Sequence, residues 1–163
     1  MAGSASLILA AKHPENLVYA ASLILDVGFS QPVRRTVASL VGIARMGAGG
    51  FRSDAMWGPP NDPACAANDP TVDAAKLVAD QTRSWVYSGN GTPAEELGGK
   101  KLDASLLENA TRVSNKAFQK KYLAAGGTNG VFNFPDNGTH TWSYWGAQLP
   151  AMKPDPQRVL GAG

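Results

Sequence analysis

The 163-residue sequence predicts an α/β fold built on a parallel sheet, and three observations carry the prediction. Short apolar runs with strand character at residues 16–23, 83–88 and 131–134 are separated by stretches of helical character. Strands that alternate with helices imply parallel pairing through helical crossovers. Hydrophobic residues make up 44% of the chain, and a chain near 150 residues buries roughly 68–70% of its unfolded surface, enough for a sizeable core. Only three strands are visible, however, and a parallel sheet needs both faces covered and its edges protected. The expectation is therefore part of a larger sheet with helices on both faces. Residues 1–163 are expected to form one partial domain with no separate second domain.

Each element has a local reason. Residues 2–12 read as an alanine- and leucine-rich helix that ends before Pro14. Leu17, Val18, Tyr19 and Leu23 suit a short buried strand. Val33, Val37, Leu40, Val41 and Ala44 recur at near-helical spacing until Gly47, Gly49 and Gly50 stop them. Residues 56–69 read as irregular, with turn chemistry from Trp57 to Pro63. Asp69 and Pro70 open a helix to about Asp80, the aspartate capping free amides and the proline losing no needed donor. Residues 83–88 form a strand closed by Gly89-Asn90-Gly91-Thr92-Pro93. Asp103 is expected to cap a helix over 104–125 with Leu106, Leu107, Ala110, Val113, Ala117 and Phe118 on one side. Gly126-Gly127 stops it. A strand at 131–134, a loop at 135–139, His140 and an aromatic helix at 143–152 follow, and the tail after Pro154 reads as frayed.

Composition narrows the function. Lys+Arg 15 against Asp+Glu 13 leaves a net charge of +2, which is no electrostatic footprint for nucleic acid. A single cysteine, Cys65, excludes an internal disulfide and a cysteine-rich metal site, and reads as structural. Metal-ligand clusters, a P-loop and a dinucleotide fingerprint are missing. The apolar run from Leu7 to Ala11 has no basic region before it and is too short for a membrane span, which read alone points to the cytoplasm.

Functional residues of such sheets gather at the carboxyl ends of strands. That singles out the segment after Leu23, residues 89–108 and residues 136–142. His140 follows a strand on a glycine-containing loop, and imidazole is the natural proton shuttle near neutral pH. Glu108 is a candidate to orient it, with Asp103, Glu95 and Glu96 competing on pattern alone. His13, at a helix end, reads as a cap of carbonyls, and Arg34-Arg35 as a solvated helix face. No nucleophile stands out, because no Gly-x-Ser-x-Gly occurs.

Several unusual strings point further: Met56-Trp57-Gly58-Pro59, Asn68-Asp69-Pro70, Trp85-Val86-Tyr87-Ser88-Gly89-Asn90-Gly91-Thr92-Pro93, Asn129-Gly130-Val131-Phe132-Asn133-Phe134-Pro135 and Asn137-Gly138-Thr139-His140-Thr141-Trp142-Ser143-Tyr144-Trp145. Together they resemble the antigen 85 mycolyltransferases of mycobacteria, secreted α/β-hydrolase-fold acyltransferases also known as diacylglycerol acyltransferases and fibronectin-binding proteins. The resemblance covers nearly the whole chain and implies the C-terminal half of an α/β-hydrolase fold. In that family the nucleophile elbow reads Gly-x-Ser-Met-x-Gly. Met1-Ala2-Gly3 matches its last three positions, so the serine would stand immediately before Met1 and is absent from these residues.

By the same resemblance Glu108 and His140 match the acid and base of the triad, with Leu107-Glu108-Asn109 matching the run around the catalytic glutamate. The order Ser, Glu, His is that of the hydrolase fold. The amide of Met1 would be half of the oxyanion hole, and Ser22, Asp26, Arg112, Ser114, Thr141 and Trp142 match substrate-binding positions. Residues 23–45 are divergent, Ser88 stands where common members have a cysteine, and Cys65 where they have a tryptophan. The implied function is transfer of mycolyl groups between trehalose glycolipids and to cell-wall arabinan or diacylglycerol through a serine acyl-enzyme, with no metal or organic cofactor. This chain alone, lacking the serine, is expected to be inactive. The resemblance also implies a secreted or cell-wall location and, for the full-length family, fibronectin as a partner. The alternative is a non-catalytic secreted antigen that binds glycolipid or fibronectin.

Overall fold

The computed structural model describes residues 2–23, 59, 62–95 and 102–161. The helix expected over 32–46, the Arg34-Arg35 pair, Met1, Asp26 and Glu96 lie outside the described residues. Strands β1 (Tyr19–Ser22), β2 (Arg83–Tyr87) and β3 (Gly130–Asn133) form a parallel sheet in the order β1-β2-β3. Tyr19 is paired with Arg83 and Ser22 with Val86, while Val86 is also paired with Phe132. The connections pass through helices, as the alternation of patterns predicts. Among the described residues the helices are α1 (Ala2–Lys12), α2 (Pro63–Ala67), α3 (Pro70–Ala79), α4 (Leu102–Ala124), α5 (Trp142–Met152) and α6 (Pro154–Leu160), of which α2 and α3 lie between β1 and β2 and α4 between β2 and β3.

Strand side chains alternate between faces. Ala20 and Val86 point to the face covered by α1, α3 and α4, where they meet Leu7, Ala10, Ala11, Ala74, Leu77, Phe118 and Tyr122. Phe132 packs its ring 5.5 Å from Tyr122 and 6.1 Å from Phe118. Alanines on α1 and β1 let the first helix lie close to its strand, and Leu7 is wholly buried there. The opposite face carries Tyr19 and Arg83, which bond to Asp155 of α6, and Asn133, whose side-chain amide donates to Gln148 of α5 at 2.8 Å. Helices therefore meet both faces, as expected of an α/β fold.

The helix ends are built as the sequence suggests in two places. Asp69 Oδ1 accepts from the Thr71 amide at 2.9 Å with Pro70 in the first turn of α3. After α4, Gly126 takes a left-handed φ of +81°. Its amide and that of Gly127 then reach back to the carbonyls of Leu123 and Tyr122, each at 3.0 Å, in a Schellman stop.

Four expectations are corrected. The stretch before Asp69 is not wholly irregular: α2 forms there, with Asp62 capping the Ala64 amide at 2.8 Å and Cys65 buried. Asp103 does not cap α4 but lies inside its first turn, where a carboxylate favours the helix dipole. The buried stripe of α4 is Ala104, Glu108, Thr111, Asn115, Phe118 and Tyr122, while Leu106 and Val113 are 59% and 61% exposed. That stripe keeps the three-and-four spacing of a helix face, but its first half is polar because it meets the strand ends rather than the apolar middle of the sheet.

The fourth correction concerns the tail, which is not frayed. Pro154 opens α6, and the Asp155 carboxylate receives Arg83 through Nε at 2.8 Å and Nη2 at 2.7 Å, the Tyr19 hydroxyl at 3.1 Å and Arg158 at 2.6 Å. Tyr19 and Arg83 are the first residues of β1 and β2. The 11 residues of α5 span about 16 Å, close to the length of a five-residue strand. Helix α5 thus carries the chain from the carboxyl end of the sheet back to this ionic clasp at its amino end.

Candidate active site

The site is built from the loops that follow β2 and β3 and from the N-terminal half of α4. Glu108 is completely buried. Its Oε1 accepts the Gly89 amide at 2.7 Å and the Ser88 hydroxyl at 3.2 Å, and its Oε2 lies 2.9 Å from His140 Nδ1. A buried carboxylate needs partners of this kind to offset the loss of water. The backbone N–H of His140 donates to the Ala104 carbonyl at 3.1 Å, which fixes the histidine to the helix that carries the glutamate. The ring of Trp145 meets the imidazole edge-on at 4.9 Å. With Nδ1–H donated to the carboxylate, Nε2 is left with its lone pair, and among the described residues no hydrogen bond engages it. The His140 side chain remains 11% exposed.

Two loops must meet for this pairing. The Gly91 amide donates to the Gly138 carbonyl and the Gly138 amide to the Thr92 carbonyl, both at 2.7 Å, and Asn90 Nδ2 donates to the Asp136 carbonyl at 2.6 Å. A Cβ on Gly89 would lie 2.4 Å from the Gly138 oxygen, and Gly138 itself has a φ of +116°. Side chains at these two positions would force the loops apart, and with them Glu108 and His140. Tyr87 lies beneath the contact. Burial pushes its phenol up to about 12, and the Glu108 carboxylate adds to the shift. The Tyr144 hydroxyl accepts the Ala94 amide at 2.6 Å and ties the first loop to α5.

The other expected site residues are spread around this centre. Ser22 is buried at the end of β1, and its hydroxyl has no partner among the described residues. Thr141 precedes α5 with its hydroxyl 3.0 Å from that of Ser143. Trp142 is 83% exposed and stands edge-on to Trp145 at 5.1 Å. Ser114 is half-buried on α4. Arg112 turns its guanidinium to the carbonyls of Pro135 and Phe134, at 2.6 and 3.2 Å. Of the acidic rivals, Glu95 and Asp103 are exposed, and among the described residues only Glu108 meets the histidine. The His13 ring does not cap carbonyls. It is exposed beside Glu15, at 3.4 Å, and it is the backbone amide of His13 that bonds to Leu9. Ser88, Gly89 and Trp145 support the pair without having been singled out as site residues. In the sequence the first two read only as the end of a strand and a turn. Among the described residues no cluster of histidine, cysteine and carboxylates could hold a metal ion, and no helix is long and apolar enough to cross a membrane.

A histidine held by a buried carboxylate at the carboxyl end of a parallel sheet is an arrangement found in α/β-fold esterases. The chain belongs to that family: the profile described as "Putative esterase" matches residues 1–156. It is 55% identical over 162 residues to the diacylglycerol acyltransferase/mycolyltransferase Ag85A of Mycobacterium ulcerans, covering 99% of this chain and 47% of the relative. It is also 55% identical over 164 residues to the Ag85B protein of Mycobacterium intracellulare, covering 99% and 48%. Among solved structures, the crystal structure of Mycobacterium tuberculosis MPT51 (FbpC1) superposes with a TM-score of 0.73 at 28% identity, covering 94% of this chain and 55% of that one. The resemblance to the antigen 85 proteins and the α/β-hydrolase-like fold both hold. The chain spans about half the length of the curated relatives it matches.

Proposed function

We propose that residues 1–163 supply the acid and base of a serine acyltransferase that moves mycolyl groups between trehalose glycolipids and on to arabinan or diacylglycerol hydroxyls. The observation that carries this reading is the 2.9 Å contact between His140 Nδ1 and the buried Glu108 carboxylate. The names of the relatives at 55% identity, which pair diacylglycerol acyltransferase with mycolyltransferase, support the reaction class. In the family pattern the nucleophile is the serine that precedes the position of Met1, and the amide at that position is half of the oxyanion hole, at the positive end of α1.

Each step balances on one proton. His140 Nε2 takes the serine hydroxyl proton as the oxygen attacks the donor ester. It returns that proton to the departing trehalose oxygen, leaving the acyl-serine. The acceptor hydroxyl then gives its proton to Nε2 as it attacks, and the proton goes back to the serine. Glu108 stabilises the imidazolium formed at each half. By the family pattern Trp142, Thr141, Ser114 and Ser22 serve the sugar or acyl site, and Asp26, outside the described residues, matches a further substrate position. The reading carries with it the family's secreted or cell-wall setting and, for the full-length family, fibronectin binding. It needs no metal or organic cofactor.

The test is to join residues 1–163 to the N-terminal part of the M. ulcerans relative and confirm folding by circular dichroism. Turnover of trehalose monomycolate is expected in the joined protein, and none by residues 1–163 alone. A folded joined protein without turnover, or turnover by the 163 residues alone, contradicts the reading.

A further inference from the structure

Arg112 stands one turn after Glu108 on α4, at the spacing that places two side chains over the same neighbour. Its Nη1 donates to the Pro135 carbonyl at 2.6 Å and lies 3.4 Å from the Ser88 carbonyl, and its Nη2 donates to the Phe134 carbonyl at 3.2 Å. The guanidinium carbon sits 5.8 Å from the Phe134 ring centroid, and the side chain is 15% exposed. The carboxylate of Asp136, fully exposed, lies 3.9 Å from its Nη2. The carbonyls involved belong to the segments that leave β2 and β3. Two successive carbonyls at the exit from β3, those of Phe134 and Pro135, thus accept from one side chain. The Ser88 carbonyl and the Gly89 amide are the two ends of one peptide group. Arg112 takes its oxygen side and Glu108 its nitrogen side.

We propose that Arg112 is a positioning residue for the acid–base pair: its guanidinium clasps the carbonyl ends of β2 and β3 and so holds the loop that presents His140 to Glu108. The proposal deepens the function proposed above and rests on it for the roles of His140 and Glu108. The resemblance assigns Arg112 to the substrate site, whereas its Nη groups are engaged by backbone oxygens five and six residues before His140 and by the one next to Gly89. A planar fork of five N–H groups holds several carbonyls in fixed directions, whereas a lysine ammonium offers three donors from a compact head on a flexible stem. Charge alone therefore does not replace it.

The pair is readable without turnover, because the chain has only two histidines and the exposed His13 is an internal reference. Nitrogen-15 spectra of residues 1–163 are expected to show His140 as a single tautomer with a protected Nδ1 proton. In both Arg112→Lys and Arg112→Ala that proton is expected to exchange about tenfold faster, the scale of one lost hydrogen bond, with the tautomers mixing as in His13. Four results overturn the proposal: an unprotected Nδ1 proton in the unaltered chain, unchanged exchange in folded variants, full rescue by lysine, or loss of the whole fold in both variants. Because the measurement reads the hydrogen bond itself, failure of the transferase reading would leave its outcome untouched.

Discussion

Glu108→Gln in the joined, serine-bearing protein is expected to lower acyl transfer about ten-thousandfold, the scale set by amide-for-carboxylate replacement in other triads. The local geometry explains why the loss should be so large. Oε1 faces the Gly89 amide and the Ser88 hydroxyl, both donors, so the glutamine oxygen must take that position. Its NH2 group is then turned towards His140 Nδ1, where it can only donate. The imidazole must flip to the tautomer with the proton on Nε2, and the base is gone. Turning the amide over leaves the Gly89 N–H facing another donor, which costs about 1–3 kcal/mol. Comparison of kcat with urea unfolding separates the two effects: turnover collapses while stability changes by little. Retention of more than a tenth of the activity would remove Glu108 from the mechanism.

Asp155→Ala is expected to destabilise the fold by about 2–4 kcal/mol, because it strands a partly buried Arg83 without its counter-ion. The Arg83 guanidinium, with help from Arg158 and the Tyr19 hydroxyl, holds the Asp155 carboxyl down to about 2. Burial pushes the Tyr19 phenol well above its ordinary range, and the nearby carboxylate adds to the shift. A carboxyl depressed in the folded state stabilises above its unfolded pKa, and that stabilisation is lost as pH falls through the folded value. The contribution is about 2 kcal/mol at neutral pH, fading between about pH 5 and pH 2. Urea midpoints across that range should fall steeply in the unaltered chain and much less in Asp155→Asn. Parallel curves for the two proteins would show that the clasp contributes nothing. His140 and Glu108 lie at the other end of the sheet, so their contact is expected to survive in folded Asp155→Asn.

Where local chemistry dictated the outcome, the sequence was legible. The alanine-rich run at 2–12 is α1 at those bounds, Asp69-Pro70 starts α3, and Gly126-Gly127 stops the helix that bears Glu108. Position along the chain also placed His140 at a strand's carboxyl end. Periodicity misread α4, however, because counting apolar residues favours Leu106 and Val113, whereas the face that meets the strand ends is Glu108, Thr111 and Asn115. A polar stripe is buried only if its partners are present, and those partners, the Gly89 amide and the Tyr87 carbonyl, lie 19 and 28 residues away along the chain. The same limit hid α6. Pro154 reads as an ending, and its role as a helix start depends on Arg83, 72 residues before Asp155. The choice of Glu108 over Asp103 came from resemblance, since pattern alone treated them equally. The structure separates them by a single geometric fact, contact with the imidazole.

In the proposed reaction residues 1–163 contribute base and acid while the acyl group is carried on a serine N-terminal to α1. Rapid-quench mass spectrometry of the joined protein with an activated long-chain ester tests it most directly. One acyl group per chain is expected, attached to that serine and formed at a rate that collapses in His140→Ala. An acyl group on any residue from 1 to 163, or acylation of the serine that proceeds equally fast without His140, would contradict it.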